Sequence, residues 1–248
     1  EQRRIVEIIE DHFSRLDAAE RVLSQARVNL EALESLAAHS LAFTTAFKRA
    51  SLSAVALLVT DGDHNPPKRT ETGIPHVTAK GVRRDGTIDL TICSYVSPEG
   101  YAQTARRYTP AAEDILVTCV GTIGRVAVVP HGMIFSADRN LAAVRVDKSL
   151  VLPQYVAMTL RSIESQHVMS TASGSTAQPH LYLKDLRRLA VPLPPLDVQA
   201  ELVGRFEEVT ARAQRLVQQL SVQKLLHLAL RRAILAAAFS GRLTGSAS

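Results

Sequence analysis

Aromatic side chains are scarce in this sequence. It contains no tryptophan, and its aromatic residues amount to only 4% of the chain. A protein that binds single-stranded nucleic acid stacks bases on exposed aromatic rings, so this composition argues against such a platform. Hydrophobic residues at 46% and charged residues at 21% are typical of a folded chain rather than a disordered one.

Metal-binding and membrane-spanning patterns are also missing. The two cysteines, Cys93 and Cys119, have no ligand spacing and indicate free thiols in a reducing cytoplasm. No apolar run approaches the ~20 residues of a membrane span, and no signal peptide is visible. The sequence therefore predicts a cytoplasmic protein without a metal. Because it has no starting methionine and opens within a helical pattern, we expect a fragment or a processed chain.

Helix breakers are confined to the middle of the chain. All eleven prolines lie between Pro66 and Pro195, and nine of the twelve glycines lie between Gly62 and Gly174. Flanks almost free of breakers are what long helices require. The sequence therefore predicts a long spacer helix over residues 1–47, a globular domain over 48–195, a second long helix over 196–243 and a disordered tail over 244–248.

Both flanks repeat apolar residues at alternating spacings of four and three, which is typical of a coiled-coil seam. A shift of 197 residues places Leu23 on Leu220 and Leu33 on Leu230, which indicates a weak internal repeat of one helix. The two helices are expected to pack on each other, although two unrelated amphipathic helices remain the alternative. The residues expected to carry this helix pairing are Ile9, Leu16, Leu23, Leu30, Leu33, Phe206, Leu216, Leu220, Leu230 and Ile234.

The middle segment mixes strand and helix signals. Short apolar runs such as those at 114–120 and 141–146 are typical of strands, and the run from Pro153 is typical of a helix. Turn clusters such as "DGDHNPPK" separate these elements. The predicted fold class is therefore α+β, with a globular domain that mixes helices and strands between the two long helices.

The net positive charge of the protein lies in this middle segment. Residues 48–195 contain seventeen Lys or Arg against twelve Asp or Glu, whereas the charges of the two flanks cancel. We therefore expect this segment to contact the phosphate backbone of DNA. The hydroxyls and amides of a polar loop in the same segment could form hydrogen bonds with base edges. The candidate DNA-binding residues are Lys68, Arg69, Lys80, Arg83, Arg84, Arg125, Ser175, Thr176 and Gln178.

No catalytic constellation stands out. "NPPK" at 65–68 is similar to the Asn-Pro-Pro-aromatic signature of DNA adenine methyltransferases, but Lys68 occupies the position of the base-stacking ring. No nucleophile elbow and no phosphate-binding glycine loop accompany it. We therefore predict a protein that is not an enzyme and has no catalytic residue.

Several stretches resemble the specificity subunits of type I restriction-modification systems. "VPLPPLDVQAELV" at Val191–Val203 is similar to the junction where a strand ends in a proline turn and a long helix begins. "AAAFSGRL" at 236–243 is similar to the end of that helix, and "EQRRIVEIIE" at 1–10 to its start in the preceding repeat. "EDILVTCVGTIGRVAVV" and "GSTAQPHLYLKDLRRLAVPLPPL" resemble stretches of the target-recognition domains.

The resemblance implies an antiparallel coiled coil and a domain that reads one half of a split, double-stranded DNA target. The implied partners are modification (methyltransferase) subunits and a restriction (motor and nuclease) subunit, which would hold S-adenosylmethionine, ATP and Mg²⁺; no cofactor is expected in this chain. One recognition domain implies the C-terminal half of a longer subunit, or a half-subunit that pairs with a second copy of itself. A coiled-coil interaction scaffold and a DNA adenine methyltransferase remain the alternatives.

Overall fold

A computed structural model describes residues 2–44, 46–65, 67–174 and 179–240. Two long helices frame the chain, α1 (Gln2–Phe43) and α7 (Leu196–Phe239). The first contains 42 residues without a proline or glycine, and at ~1.5 Å per residue it is about 63 Å long. Both helices are a few residues shorter than the predicted spans, and the predicted tail lies outside the described residues.

The chain divides into two compact units. Unit 1 consists of Glu1–Leu33 and Val209–Ser248, and unit 2 consists of Glu34–Glu208. The predicted boundaries at residues 48 and 195 differ from this division, because the last turns of α1 and the first turns of α7 belong to unit 2. In unit 2 their residues Ala38, Ala42 and Phe206 are part of the same hydrophobic core as the strands.

Within unit 1, the two long helices run antiparallel. Lys224 Nζ lies 3.3 Å from Glu20 Oε1, and Arg231 forms an ion pair with Asp17. The guanidinium of Arg231 also lies over the Phe13 ring, 5.3 Å from its centroid. Because partners later in α7 contact residues earlier in α1, the helices must have opposite directions. The predicted antiparallel coiled coil is thus present within a single chain.

The pairing surfaces follow the predicted apolar pattern in part. Leu16 is buried, and Ile9, Leu23, Leu30, Leu220 and Ile234 are half-buried. On α7, Val217 and Arg231 are half-buried. Each directly follows a leucine that was predicted to pair, Leu216 or Leu230. Leu216 and Leu230 are 47% and 49% exposed, and Leu33 is exposed as well, so these three leucines contribute little buried contact here. Phe206 packs in the core of unit 2 instead.

Unit 2 has an α+β fold with ten strands among its described residues. The strands are β1 (Arg49–Ser51), β2 (Ala56–Asp61), β3 (Arg69–Thr70), β4 (Ile74–Val77), β5 (Ser94–Val96), β6 (Ile115–Thr118), β7 (Val126–Val128), β8 (Ser136–Ala137), β9 (Leu141–Val146) and β10 (Ala190–Pro192). The shorter helices are α2 (Leu52–Val55), α3 (Pro98–Ala105), α4 (Pro153–Arg161), α5 (Ile163–Ala172), α6 (Leu183–Leu186) and a 3₁₀ turn at Ala79–Gly81.

These strands form three sheets. The central sheet has the order β2-β9-β6-β7 and is antiparallel throughout. A second sheet has the order β3-β5-β4-β8, in which β4 and β8 are parallel. The third is the antiparallel pair of β1 and β10, which joins the segment after α1 to the segment before α7.

The central sheet is buried on both faces. In β6, Ile115 and Val117 belong to one hydrophobic cluster, with α4 and α5, while Leu116 between them belongs to a second cluster. Alternate side chains of a strand point to opposite faces, so a strand covered on both sides needs a continuous apolar run. This requirement explains why β6 and β9 were recognisable in the sequence.

A buried glutamine anchors the start of α7. Gln199 is fully buried, and its amide nitrogen donates to the carbonyl oxygens of Leu150 at 3.0 Å and Pro194 at 2.9 Å. Its side-chain oxygen accepts from the Leu152 amide at 2.8 Å. All three bonds satisfy backbone groups of turns, which cannot find partners within regular structure. The glutamine of the "VPLPPLDVQ" junction therefore fastens the proline turn to the globular core.

Among the glycines of the described residues, Gly62 has the nearest backbone neighbour. A Cβ placed there would lie 2.3 Å from the Ala137 carbonyl oxygen and 2.5 Å from that of Asp138. Because these atoms are backbone, they can move away only if the chain shifts. We expect Gly62→Ala to lower the free energy of unfolding by about 1–3 kcal/mol, as overpacking typically does. Urea denaturation measures this change.

Gly204 provides the matched control for this substitution. It lies within α7, and a Cβ there would meet nothing within 4 Å. Alanine favours a helix over glycine, so Gly204→Ala should stabilise the protein by up to about 1 kcal/mol. Equal unfolding midpoints for the two variants would show that the chain at residues 137–138 is free to move.

Candidate nucleic-acid interface

Three arginines meet beside the turn that joins residues 83 and 87. The turn is closed by the Arg83 amide, which donates to the Thr87 carbonyl oxygen at 2.9 Å. Arg125, just before β7, donates from Nη1 to the Val82 carbonyl oxygen at 3.0 Å. Burial and repulsion by Arg84 and Arg83 lower the pKa of Arg125. The structure therefore brings together three predicted residues that are far apart in sequence; we call Arg83, Arg84 and Arg125 the arginine cluster.

One carboxylate partly neutralises this cluster. Arg83 Nε donates to Asp89 Oδ2 at 3.0 Å. The pKa of Asp89 is lowered to about 2, chiefly by hydrogen bonds from Thr91 and secondly by the hydrogen bond from Arg83. Asp89 therefore stays ionised at any pH near neutrality. Arg83 is partly engaged within the protein, and the cluster still carries an excess of positive charge.

The other predicted residues are placed differently. Lys80 is exposed on the 3₁₀ turn, and Lys68 is exposed before β3. Arg69 is exposed on β3, with Nη2 3.9 Å from Asp138 Oδ2. Ser175, Thr176 and Gln178 lie outside the described residues. The assignment of all nine residues to DNA binding stays a prediction.

A cleft of about 650 Å³ lies at one edge of the central sheet in unit 2. It is bordered by the end of β2, the segment before β9 and the segment around α6. Its polar lining residues are Asp61, His64, Arg139, Asn140, His180, Tyr182 and Lys184. None of these residues is among the nine candidate DNA-binding residues of the sequence analysis.

The acidic member of this lining is already neutralised. Asp61 accepts from Arg107 Nε at 3.0 Å, and its other oxygen lies 3.2 Å from His64 Nε2. Among the described residues, neither Arg139 nor Lys184 forms an ion pair with a carboxylate. The cleft therefore offers cations to a bound molecule, and its described lining residues include no unpaired carboxylate that would repel an anion.

A buried network fixes the segment that carries Arg139 and Asn140. His76 is 1% exposed, with Nδ1 3.0 Å from Ser136 Oγ and Nε2 3.4 Å from Asp138 Oδ2. Burial would raise the pKa of Asp138, but hydrogen bonds from His76 and from the Asn140 amide outweigh it and lower the pKa. Asp138 Oδ1 accepts from that amide at 2.9 Å. The turn at 138–140 is thus held from its buried side.

Aromatic rings border the other side of the cleft. His180 and Tyr182 stack with ring centroids 4.5 Å apart, and Lys184 Nζ lies 5.5 Å from the Tyr182 centroid. The Leu181 amide donates to the Cys119 carbonyl oxygen at 2.9 Å, which attaches this segment to the end of β6. Two rings and a cation are therefore held on a segment outside the strands.

No metal site accompanies these features. Within the described ranges, no group of three or more His, Cys, Asp or Glu side chains is placed to hold a metal ion. The same ranges contain no helix with the length and apolarity needed to cross a membrane. Clustered arginines and a cationic cleft on one unit are an electrostatic feature of proteins that bind nucleic acid.

Comparison with known proteins identifies the family. The model of the type I restriction modification DNA specificity domain matches residues 67–223, more than half of the chain. The chain therefore belongs to this family. The specificity subunit of the type I restriction enzyme EcoBI from Escherichia coli is 33% identical over 160 residues, which cover 64% of this chain and 34% of that protein. The EcoKI specificity subunit from E. coli strain K12 is 26% identical over 206 residues, which cover 80% and 43%.

Solved structures show the same fold. A chain from a structure concerned with the assembly and conformational transition of the type I R-M system matches 97% of this chain, with a TM-score of 0.73 and 21% identity. The HsdS subunit from Thermoanaerobacter tengcongensis also matches 97% of this chain, with a TM-score of 0.57 and 21% identity. This chain covers 59% and 58% of those two chains.

Proposed function

We propose that this chain recognises double-stranded DNA as part of a non-catalytic specificity subunit and directs adenine methylation and restriction by partner subunits. The observation that carries the proposal is the arginine cluster in unit 2, within the segment that matches the family. Guanidinium groups suit this role because their rigid, permanently charged forks bind phosphate oxygens. The cleft contains further side chains that can form hydrogen bonds with base edges.

The helix pair supports the spacing of two reading sites. A bipartite target requires that two recognition domains be held at a fixed separation, and a flexible connection would lose register. An antiparallel pair of helices, each more than 40 residues long, is stiff enough for this purpose. The second recognition domain would come from the rest of a longer subunit or from a second copy of this chain.

The catalytic partners would supply the chemistry. We assign S-adenosylmethionine to the methyltransferase subunits and ATP with Mg²⁺ to the restriction subunit, as the family resemblance implies. In the "NPPK" segment, Asn65 donates its amide to Asp63 Oδ1 at 3.0 Å and accepts at its carbonyl oxygen from Gln103 at 3.1 Å. These bonds hold the backbone of Asn65, and Lys68 stands where the base-stacking ring would be, which supports a role other than methyl transfer.

Genome-wide mapping of methylated adenine tests this function. The protein is expressed with a cognate methyltransferase subunit, in a host without other adenine methylation. We expect methylation at one bipartite motif, because the specificity subunit selects the site at which its partner acts. The partner alone is the control and should leave the genome unmethylated. Methylation by the partner alone at the same motif would contradict the proposal.

A further inference from the structure

Arg139 and Asn140 stand on a short turn whose backbone is fixed at several points. Asp138 Oδ1 accepts from the Asn140 amide, and the Leu141 amide donates to the Asp138 carbonyl oxygen at 3.0 Å. The Cys119 amide donates to the Asn140 carbonyl oxygen at 2.8 Å. All these bonds use the main chain or Asp138. The side chains of residues 139 and 140 therefore contribute nothing to holding the turn.

Both side chains are available to a ligand. Arg139 is exposed and Asn140 is half-buried, and both line the cleft. Within the part of the chain that the structure describes, neither the Arg139 guanidinium nor the Asn140 carboxamide has a hydrogen-bond partner. A half-buried amide with no partner, on a fixed turn, is poised to bond a group that enters the cleft.

This pair of side chains matches the hydrogen-bonding pattern of purines. In the major groove, guanine presents O6 and N7 as two acceptors, which an arginine fork meets with two donors. Adenine presents the N7 acceptor and the N6 donor, which an asparagine carboxamide meets in the same bidentate way. Because the backbone of the turn is fixed, only the two side chains have to be ordered when these bonds form.

We propose that Arg139 and Asn140 read a guanine and an adenine of the DNA target through the major groove. This inference rests on the proposed function, since it names the bases read by a site that binds DNA. Lys184 and His180, on the opposite side of the cleft, would contact the adjacent phosphates. Arg139 is assigned to a base because it shares the fixed turn with Asn140, whose carboxamide suits an adenine edge, so the two side chains can contact neighbouring bases.

Selection of bound duplexes from a random pool tests the inference. The wild-type chain should enrich a motif that contains a guanine and an adenine. Arg139→Lys keeps the charge but loses the fork, so we expect preference for that guanine to fall about 5- to 150-fold. Asn140→Ala should relax the adenine in the same way. Affinity for a duplex without the motif should change less than about threefold in both variants, which also shows that they are folded.

Arg205→Lys is the matched control. Arg205 is an exposed residue of α7 in unit 2, with only a 4.0 Å contact to Glu201, and its substitution should leave the motif unchanged. If Arg139→Lys and Asn140→Ala select the wild-type motif, the assignment of these two residues is overturned while the proposed function stands. If the wild-type chain binds duplex DNA without enriching any motif, the proposed function itself fails, and the inference fails with it.

Discussion

Replacing Asp114 by alanine is expected to lower the free energy of unfolding of unit 2 by about 3–5 kcal/mol, the usual cost of breaking a buried ion pair. Asp114 is 1% exposed and accepts four hydrogen bonds. Arg145 donates from Nε at 2.7 Å and from Nη2 at 2.8 Å, the Tyr108 hydroxyl donates at 2.7 Å, and the Ala111 amide donates at 2.9 Å. No other carboxylate of the described residues is as deeply buried.

The cost arises from the groups that would lose their acceptor. The Tyr108 hydroxyl is buried, and burial together with the Asp114 charge raises the pKa of Tyr108, so that it remains a donor at every working pH. Without Asp114 this hydroxyl would lose its acceptor. The guanidinium of Arg145 is 41% exposed and can turn partly to solvent, which favours the lower half of the expected range.

Tyrosine signals measure this effect in unit 2 alone. The protein has no tryptophan, and all five tyrosines lie between Tyr95 and Tyr182, within unit 2. Urea denaturation followed by tyrosine fluorescence therefore reports the globular unit and not the helix pair. Lys148→Ala is the control, since it removes an exposed ion pair with Glu113 and should cost no more than about 1 kcal/mol. A similar loss in both variants would show that the Asp114 network is no stronger than a surface pair.

The parts of the fold that could be predicted from sequence are those with strong, local patterns. The long helices follow from flanks free of prolines, and β9 was predicted with its observed bounds because all of Leu141–Val146 is apolar except Arg145. The sheet β3-β5-β4-β8 was missed because its strands have only two to four residues and no alternation.

One helix prediction was wrong for a tertiary reason. The run from Pro153 was predicted as a single helix, but it breaks at Ser162, where ψ is 152°. Ser162 caps α5, with its Oγ accepting from the Ser165 amide at 3.2 Å. No proline or glycine marks this break, and Ser162 is itself fully buried. Core packing around residue 162 sets the break, and a single sequence does not display that packing.

The candidate site could likewise be predicted from the sequence only in part. Arg83, Arg84 and Arg125 were predicted individually from charge, but only the contact between Arg125 and the Val82 carbonyl oxygen brings them together. Arg139 and Asn140 were missed because neither belongs to a basic pair or a polar loop. The available signal was the Asp-Arg-Asn turn directly before the apolar strand β9, since Asp and Asn favour turns in which their side chains bond the backbone.

Removing two members of the arginine cluster together with Lys80 should weaken duplex DNA binding about 100-fold at low salt. The variant is Lys80→Ala, Arg83→Ala and Arg84→Ala together, and it leaves Arg125 in place because that guanidinium supports the Val82 carbonyl oxygen. A charge-assisted contact contributes about 1.5–3 kcal/mol, so three full contacts would exceed this loss. Arg83 is partly engaged by Asp89, which reduces its share.

The salt dependence separates phosphate contacts from other effects. Each phosphate contact contributes about −0.9 to the slope of log affinity against log salt, so the triple variant should flatten the slope by about 2 to 3. A second variant, Arg3→Ala, Arg4→Ala and Arg212→Ala, removes the same total charge from exposed positions in unit 1. It should leave the slope nearly unchanged. An equal loss of affinity in both variants would show that DNA binding depends only on the net charge of the protein. A localised interface would distinguish the two variants, because they carry the same net charge at different positions.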